Sequence, residues 1–286
     1  MKKYIIAFIS GVFLLFLALF LNKVFSGSLI LPQTFLIGPL VIHYYGLIMA
    51  SAVAASFYLA IKRAPKYGVE LKQAEDLLFW LIIGGFIGAR LYHVLSSFNY
   101  YYIHPSDIIK VWNGGLSIYG AVIGGLITLW VYRKLSTSHY SLLTLLDWLA
   151  PSLALGQIIG RFGNFFNYEA FGYPTGLPWK MFVPLQFRPQ GFESFNFFHP
   201  FFLYEALGSL IILILLLKFI KSKNPGTLFF SYLLLYNILR FGLEFLRIDS
   251  TFIHAIRLNA AMSFILVVCS AAASFYLNRM ENAKTP

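Results

Sequence analysis

Apolar residues in this chain gather into long unbroken runs separated by short polar breaks, with none of the strict alternation that marks strands. Eight runs, 4–21, 40–61, 77–95, 116–132, 142–160, 201–219, 227–246 and 258–277, approach or reach the roughly 20 residues a helix needs to cross a bilayer core. The pattern predicts an all-α polytopic membrane protein, because in hydrocarbon a helix satisfies every backbone polar group within itself. The connection 161–200 is far longer than the rest. It carries Phe182, Phe187, Phe192, Phe195, Phe197 and Phe198, which argues for a small folded cap at the outer membrane interface.

Composition strengthens this reading, since 59% hydrophobic and 12% charged residues are too apolar for a soluble domain of 286 residues. The formal charge of +11 does not indicate nucleic acid, because the bases lie in alternate short loops. One set of loops holds Lys62, Arg63, Lys66 and Lys72, then Arg133 and Lys134, then Lys218, Lys221 and Lys223, and the tails add Lys2, Lys3, Arg279 and Lys284. Short cytoplasmic loops retain Lys and Arg, so these face the cytoplasm, and the opposite ends of the helices face the periplasm or exterior. The first run follows Lys2 and Lys3 and precedes Ser26-Gly27-Ser28. Residues 1–28 therefore read as a signal anchor or a cleavable signal, 29–280 as the transmembrane domain, and 281–286 as a cytoplasmic tail.

Charged residues inside a span need a reason, each costing about 2.5 to 3.5 kcal/mol on insertion scales. Arg240, Glu244 and Arg247 share one face of the seventh run, and a rise of 1.5 Å per residue puts Arg240 about 9 Å inside its outer end. Tyr45 is expected at a similar depth in the second run. Arg90, His93, Tyr119, Arg161, Asn164, His199 and Glu205 fall toward the same side. Such one-sided convergence predicts a polar cavity with at least three arginines, and arginine forks recognise phosphate, so a phospholipid is the expected ligand. Blander readings stand beside this one. Arg247 snorkels to the interface, or Arg240 and Glu244 form only an intrahelical pair. The glycines at 84, 85, 88, 120, 124, 125, 156 and 160 read as helix packing rather than phosphate loops. His104, His139 and His254 read as loop residues, and no spacing suits a metal. Cys269, alone in an apolar run, reads as a buried inert thiol.

The segment Gly160-Arg161-Phe162-Gly163-Asn164-Phe165-Phe166-Asn167-Tyr168-Glu169-Ala170-Phe171-Gly172 closely resembles the signature of bacterial prolipoprotein diacylglyceryl transferases. Further matches follow in order along the chain. They are His43-Tyr44-Tyr45-Gly46-Leu47, Gly88-Ala89-Arg90, Trp112 to Ser117, His199-Pro200 with Tyr204-Glu205, and Arg240 with Glu244 to Arg247. The resemblance implies a seven-helix core, to which the first run is an addition. It also implies transfer of a diacylglyceryl group from phosphatidylglycerol to the lipobox cysteine of a prolipoprotein signal peptide, releasing glycerol phosphate. No cofactor is implied, and the site would face outward from the cytoplasmic membrane.

By that resemblance Arg161 and Arg240 bind the phosphate and stabilise its departing charge, and Asn164 and Tyr45 orient the headgroup. Gly172 permits a tight turn beneath the cap, while Asn167 and Glu169 hold the signature loop in shape; Arg247 and His199 join the substrate-binding set. Where many members carry His-Gly-Gly, this chain has Tyr119-Gly120-Ala121. The general base is accordingly open among His93, Glu169 and Tyr119. Two rival readings remain, a lipid or anion transporter and a catalytically impaired binder of lipoprotein signal peptides.

Overall fold

The computed structural model describes residues 2–136, 140–220, 224–254 and 256–282. The expectations placed on His139, Lys221, Lys223 and Lys284 lie outside the described residues. Each apolar run is a helix along most of its length: α1 (Lys2–Phe25), α2 (Tyr44–Arg63), α3 (Leu71–Ser96), α5 (Ile118–Leu135), α6 (Leu142–Asn167), α7 (Phe201–Ile214), α8 (Thr227–Glu244) and α9 (Leu258–Asn282), with a short α4 (Phe98–Ile103) between α3 and α5. A wider helical turn, Leu215–Phe219, continues α7. The protein is an all-α polytopic membrane protein. Among the described residues five helices are long and apolar enough to span, at Tyr44–Tyr67, Leu71–Ser96, Leu142–Asn167, Phe201–Phe219 and Leu258–Leu277. Only 11% of the apolar window in the first of these, and 17% in the last, is buried within the protein. Their large side chains therefore point outward, as they do where lipid is the solvent.

Three two-stranded hairpins interrupt the helices: β1 (Thr34–Ile37) with β2 (Leu40–His43), β3 (Met181–Phe182) with β4 (Phe197–Phe198), and β5 (Phe252–Ile253) with β6 (Ile256–Arg257). The first corrects the boundary of the second run, whose opening residues pair antiparallel, Phe35 opposite Ile42, around Gly38 at φ +59. Tyr45 thus sits in the first turn of α2 and not deep within it.

The chain forms two compact units. The first comprises 1–55, 153–219 and 230–275; the second comprises 56–152, 220–229 and 276–286. In the first unit the aromatic connection folds around a buried apolar cluster. Phe171, Met181, Val183 and Phe198 bury together with Val24 and Leu31 against Phe165 and Phe202. Tyr168 anchors this cluster, its hydroxyl accepting from the Leu31 N–H at 2.8 Å. In the second unit Trp148 is fully buried, donating its indole N–H to the Ala60 carbonyl at 2.7 Å. The Asp147 carboxylate accepts the Gly226 and Phe229 N–H groups at 2.8 Å each, placing negative charge on the open N-terminus of α8.

Glycines in the second unit let α3 and α5 cross in backbone contact. A Cβ on Gly120 would lie 2.2 Å from the Gly88 carbonyl oxygen, and one on Gly124 would lie 2.2 Å from that of Gly84. Gly125 has open space and plays no such part. Cys269 departs from the buried thiol expected of it and is exposed on α9. An apolar thiol needs no protein core when its helix turns its apolar surface outward.

Candidate active site

Three helices of the first unit, α6, α7 and α8, bring together two arginines and two glutamates. Glu205, in the first turns of α7, is fully buried between them, with Oε1 accepting from Arg240 Nη1 at 2.6 Å and Oε2 lying 2.9 Å from Arg161 Nη1. Arg240 spans two carboxylates, since its Nη2 donates to Glu244 Oε2 at 2.9 Å one helical turn along α8. The remaining oxygen of Glu244 accepts from the Asn259 amide of α9 at 3.1 Å. Arg161 Nη2 also donates to the Tyr236 hydroxyl at 3.3 Å. Both carboxylates are inaccessible, whereas the Arg240 and Arg161 side chains keep 12% and 22% exposure. The guanidinium groups are thus the accessible face of a network whose counter-charges lie behind them.

Arg161 and Asn164 are helical residues. The signature segment, expected to leave the helix after Gly160, continues α6 through Asn167. No glycine in it takes a left-handed conformation, and Gly163 uses its bareness differently, since a Cβ there would meet the Tyr45 ring at 3.0 Å. The helix breaks afterwards at Tyr168 and Ala170, both left-handed at φ 53 and 50. Non-glycine residues hold that conformation only under external constraint, supplied here by the tied Tyr168 hydroxyl and by the Glu169 N–H donating to the Asn164 carbonyl at 2.9 Å. Asn167 donates its amide to Glu169 Oε1 at 3.2 Å and accepts at its carbonyl from the Gln33 side chain at 3.1 Å. Asn167 thus links the end of α6 both to Glu169 and to Gln33.

Gly172 serves close approach, not the tight turn expected of it. It bridges antiparallel to Arg247, and a Cβ would stand 2.6 Å from the Leu246 carbonyl oxygen and 2.9 Å from His199 Cβ. Its N–H donates to the His199 carbonyl at 2.9 Å, which ties the signature to the start of α7. His199 places Nδ1 3.1 Å from the Tyr204 hydroxyl, and burial lowers its pKa below the ordinary imidazole value. Arg247 forms a two-point pair with Asp249, Nη2 to Oδ2 at 2.8 Å. Burial acts to raise the Asp249 pKa, but the Arg247 guanidinium outweighs it and holds the carboxyl below the usual range. Arg247 is thus a cation paired with Asp249.

Arg90, His93 and Tyr119 belong to the second unit. Arg90 is committed to the backbone. Its guanidinium donates to the carbonyls of Asp107, Ile108, Gly114 and Gly115 at 2.6 to 2.8 Å and fastens the connection between α4 and α5. A polar hollow of about 310 Å³ lies beside it, lined by His93, Tyr100, Asp107, Lys110 and Asn113 among others. Tyr119 stands in the first turn of α5 against Tyr92, ring centroids 6.1 Å apart.

Several site residues escaped the sequence reading. Tyr236 precedes Arg240 by one turn, and the spacing of four in the row Tyr236, Arg240, Glu244 is the signal that marks it. Asn259 is a lone polar residue at the start of the last apolar run, a visible signal. Arg257 gave none: its Nη1 donates to the Glu244 carbonyl at 2.8 Å, placing a cation on the C-terminus of α8. An apolar hollow of about 410 Å³, lined by Phe241, Phe245, Phe252, Ile256 and Phe264 among others, flanks the same helix.

Comparison with known proteins gives concordant matches. A family model described as prolipoprotein diacylglyceryl transferase matches residues 32–276, which leaves α1 outside it. A protein of Thermotoga petrophila named phosphatidylglycerol–prolipoprotein diacylglyceryl transferase is 40% identical, the match covering 99% of each chain. One of the same name from Thermotoga maritima is likewise 40% identical over 99% of each. A third, from Fervidobacterium nodosum, is 40% identical over 90% of this chain and 89% of its own.

Proposed function

Because the chain belongs to the prolipoprotein diacylglyceryl transferase family, we propose that its Arg161–Arg240 pair binds the phosphate of phosphatidylglycerol for transfer of the diacylglyceryl group to a prolipoprotein cysteine. One observation carries this reading: two guanidinium groups on different helices are held together by one buried carboxylate, each with part of its side chain still accessible. Arginine forks match phosphate oxygens, and cations fixed where negative charge develops are usually the largest catalytic term.

The reaction is a displacement at carbon. The lipobox cysteine loses its thiol proton, the thiolate sulfur attacks the glycerol carbon bearing the phosphoester, and a thioether forms. The carbon–oxygen bond breaks with its electron pair going to the phosphate oxygen, so glycerol phosphate departs. The arginines stabilise that leaving group, and their field favours a thiolate over a thiol whose unperturbed pKa is near 8.5. Tyr45 and Asn164 orient the headgroup, and His199 and Arg247 complete its surroundings. Asn167, Glu169 and Gly172 fix the backbone that carries the signature. The hollow beside α8 is apolar enough to take a hydrocarbon chain. Tyr119 stands where many members of the family carry histidine. The site faces outward from the cytoplasmic membrane, by the placement of bases in the alternate loops, and the segment 1–28 acts as an anchor or signal.

The test combines purified protein, phosphatidylglycerol and a lipobox peptide, read by mass spectrometry for the diacylglyceryl increment. Wild type should modify the peptide, and Arg161→Ala or Arg240→Ala should each slow transfer by about 10² or more. A folded wild type that binds the peptide but never modifies it would remove the transferase reading. Full activity in both variants would remove the arginine roles.

A further inference from the structure

The arginines of the cluster carry built-in counter-charges. Arg161 and Arg240 share Glu205, and Arg240 also meets Glu244, so two guanidinium charges face two carboxylates and the group is formally neutral. The two halves of Glu205 are held unequally. Oε1 accepts a directed hydrogen bond from Arg240, whereas Oε2, though 2.9 Å from Arg161, receives no aligned N–H and lies buried without a hydrogen-bond partner. Arg161, the more exposed of the two, is therefore the arginine that turns to an incoming anion at least loss, while Glu205 stays fixed on Arg240.

The two anions of the proposed reaction differ in charge. A phosphodiester such as phosphatidylglycerol carries one negative charge at neutral pH, whereas a phosphomonoester, with its second pKa near 6, carries about 1.5 to 2. Two unopposed guanidinium groups would hold the dianion more tightly than the monoanion, and product would accumulate in the site. With two carboxylates already present, each added negative charge is opposed at close range in a poorly screened environment.

Resting on the transferase reading, we propose that Glu205 is a specificity-determining counter-charge. It limits the arginine pair to singly charged phosphodiesters and drives out the doubly charged phosphomonoester after transfer. A carboxylate present only to ease insertion of the arginines into the membrane would change folding and yield when removed, but not the relative affinity for the two anions.

The experiment uses full-length protein with phosphatidylglycerol and a lipobox peptide, and measures inhibition by glycerol phosphate and by glycerophosphoglycerol, the deacylated singly charged headgroup. Wild type should be inhibited at least as strongly by glycerophosphoglycerol as by glycerol phosphate; stronger inhibition by the dianion overturns the proposal with no variant needed. Glu205→Gln should lower the inhibition constant for glycerol phosphate by about tenfold, with a smaller change in the KM for phosphatidylglycerol, since it removes one opposing charge. Glu205→Asp should keep the wild-type preference. A folded Glu205→Gln in which both constants move in parallel, or neither moves, refutes the idea. If that variant does not fold, Glu244→Gln is read the same way and should shift the preference in the same direction. A wild type without transfer fails the underlying reading separately, since that result appears before any inhibitor is added.

Discussion

Arg240 connects to Glu205 through one terminal nitrogen and to Glu244 through the other, which demands a planar fork of fixed spread. Lysine offers the charge on a single nitrogen and cannot make both contacts in that geometry. Arg240→Lys should therefore lose about tenfold or more in kcat/KM while keeping near-normal yield, and a lysine variant at wild-type rate would show that charge alone matters. His199 gives a second prediction. Burial lowers its folded-state pKa, so between that value and the unfolded value near 6.5 the unfolded chain binds more protons. Its contribution to stability is complete above pH 6.5 and declines as pH falls through that window. His199→Gln should flatten this part of a melting-temperature profile in detergent, and an unchanged slope would assign the acid sensitivity elsewhere. At this scale Arg240 and Glu244 are readable in the sequence because charge inside an apolar run is conspicuous, and Arg161 is readable only through the signature that follows Gly160. The bonds of Arg90 were not readable, because they run to backbone carbonyls and no side-chain pattern announces them.

Helices of this protein meet through what their side chains lack. Where α3 crosses α5, Gly84, Gly88, Gly120 and Gly124 allow backbone against backbone, and the nearest neighbours of an added Cβ at Gly88 are the Gly120 carbonyl oxygen at 2.4 Å and Gly124 Cα at 2.8 Å. Neither neighbour can rotate away, so Gly88→Ala should force the helices apart at a cost of about 1 to 3 kcal/mol. Gly125→Ala, which meets nothing within 4 Å, should leave stability unchanged. Equal melting temperatures for the two variants would contradict this crossing. The helices themselves were legible from apolar periodicity and length. The ends were less so: the strand of residues 40–43 is as apolar as the helix it precedes, and α6 runs past Gly160 because nothing in the following residues stops a helix. The true stop, two left-handed non-glycine residues, depends on contacts distant in sequence such as that of Tyr168 with Leu31 and has no local signature.

For the molecule as a whole, the distribution of bases and the position of its only cysteine allow orientation and chemistry to be examined together. Lys62, Arg63, Lys66 and Lys72 flank one turn of the chain, while the connection that leads into Glu205 belongs to the other set, so the positive-inside rule predicts that connection outside the cell. Cys269 is exposed on α9 and takes no part in the arginine cluster. Direct transfer to the substrate thiol needs no enzyme nucleophile, so Cys269→Ala should retain wild-type turnover, and loss of turnover would replace direct transfer with a covalent enzyme intermediate. That cysteine-free protein then reports its own topology. With Ser194→Cys in the cap, a membrane-impermeant maleimide should label intact spheroplasts. With Glu70→Cys, beside the basic turn before α3, labelling should appear only after lysis. The reverse pattern would turn the arginine cluster toward the cytoplasm, where an exported cysteine could not meet it, and the transfer proposed here would have no acceptor on the correct side of the membrane.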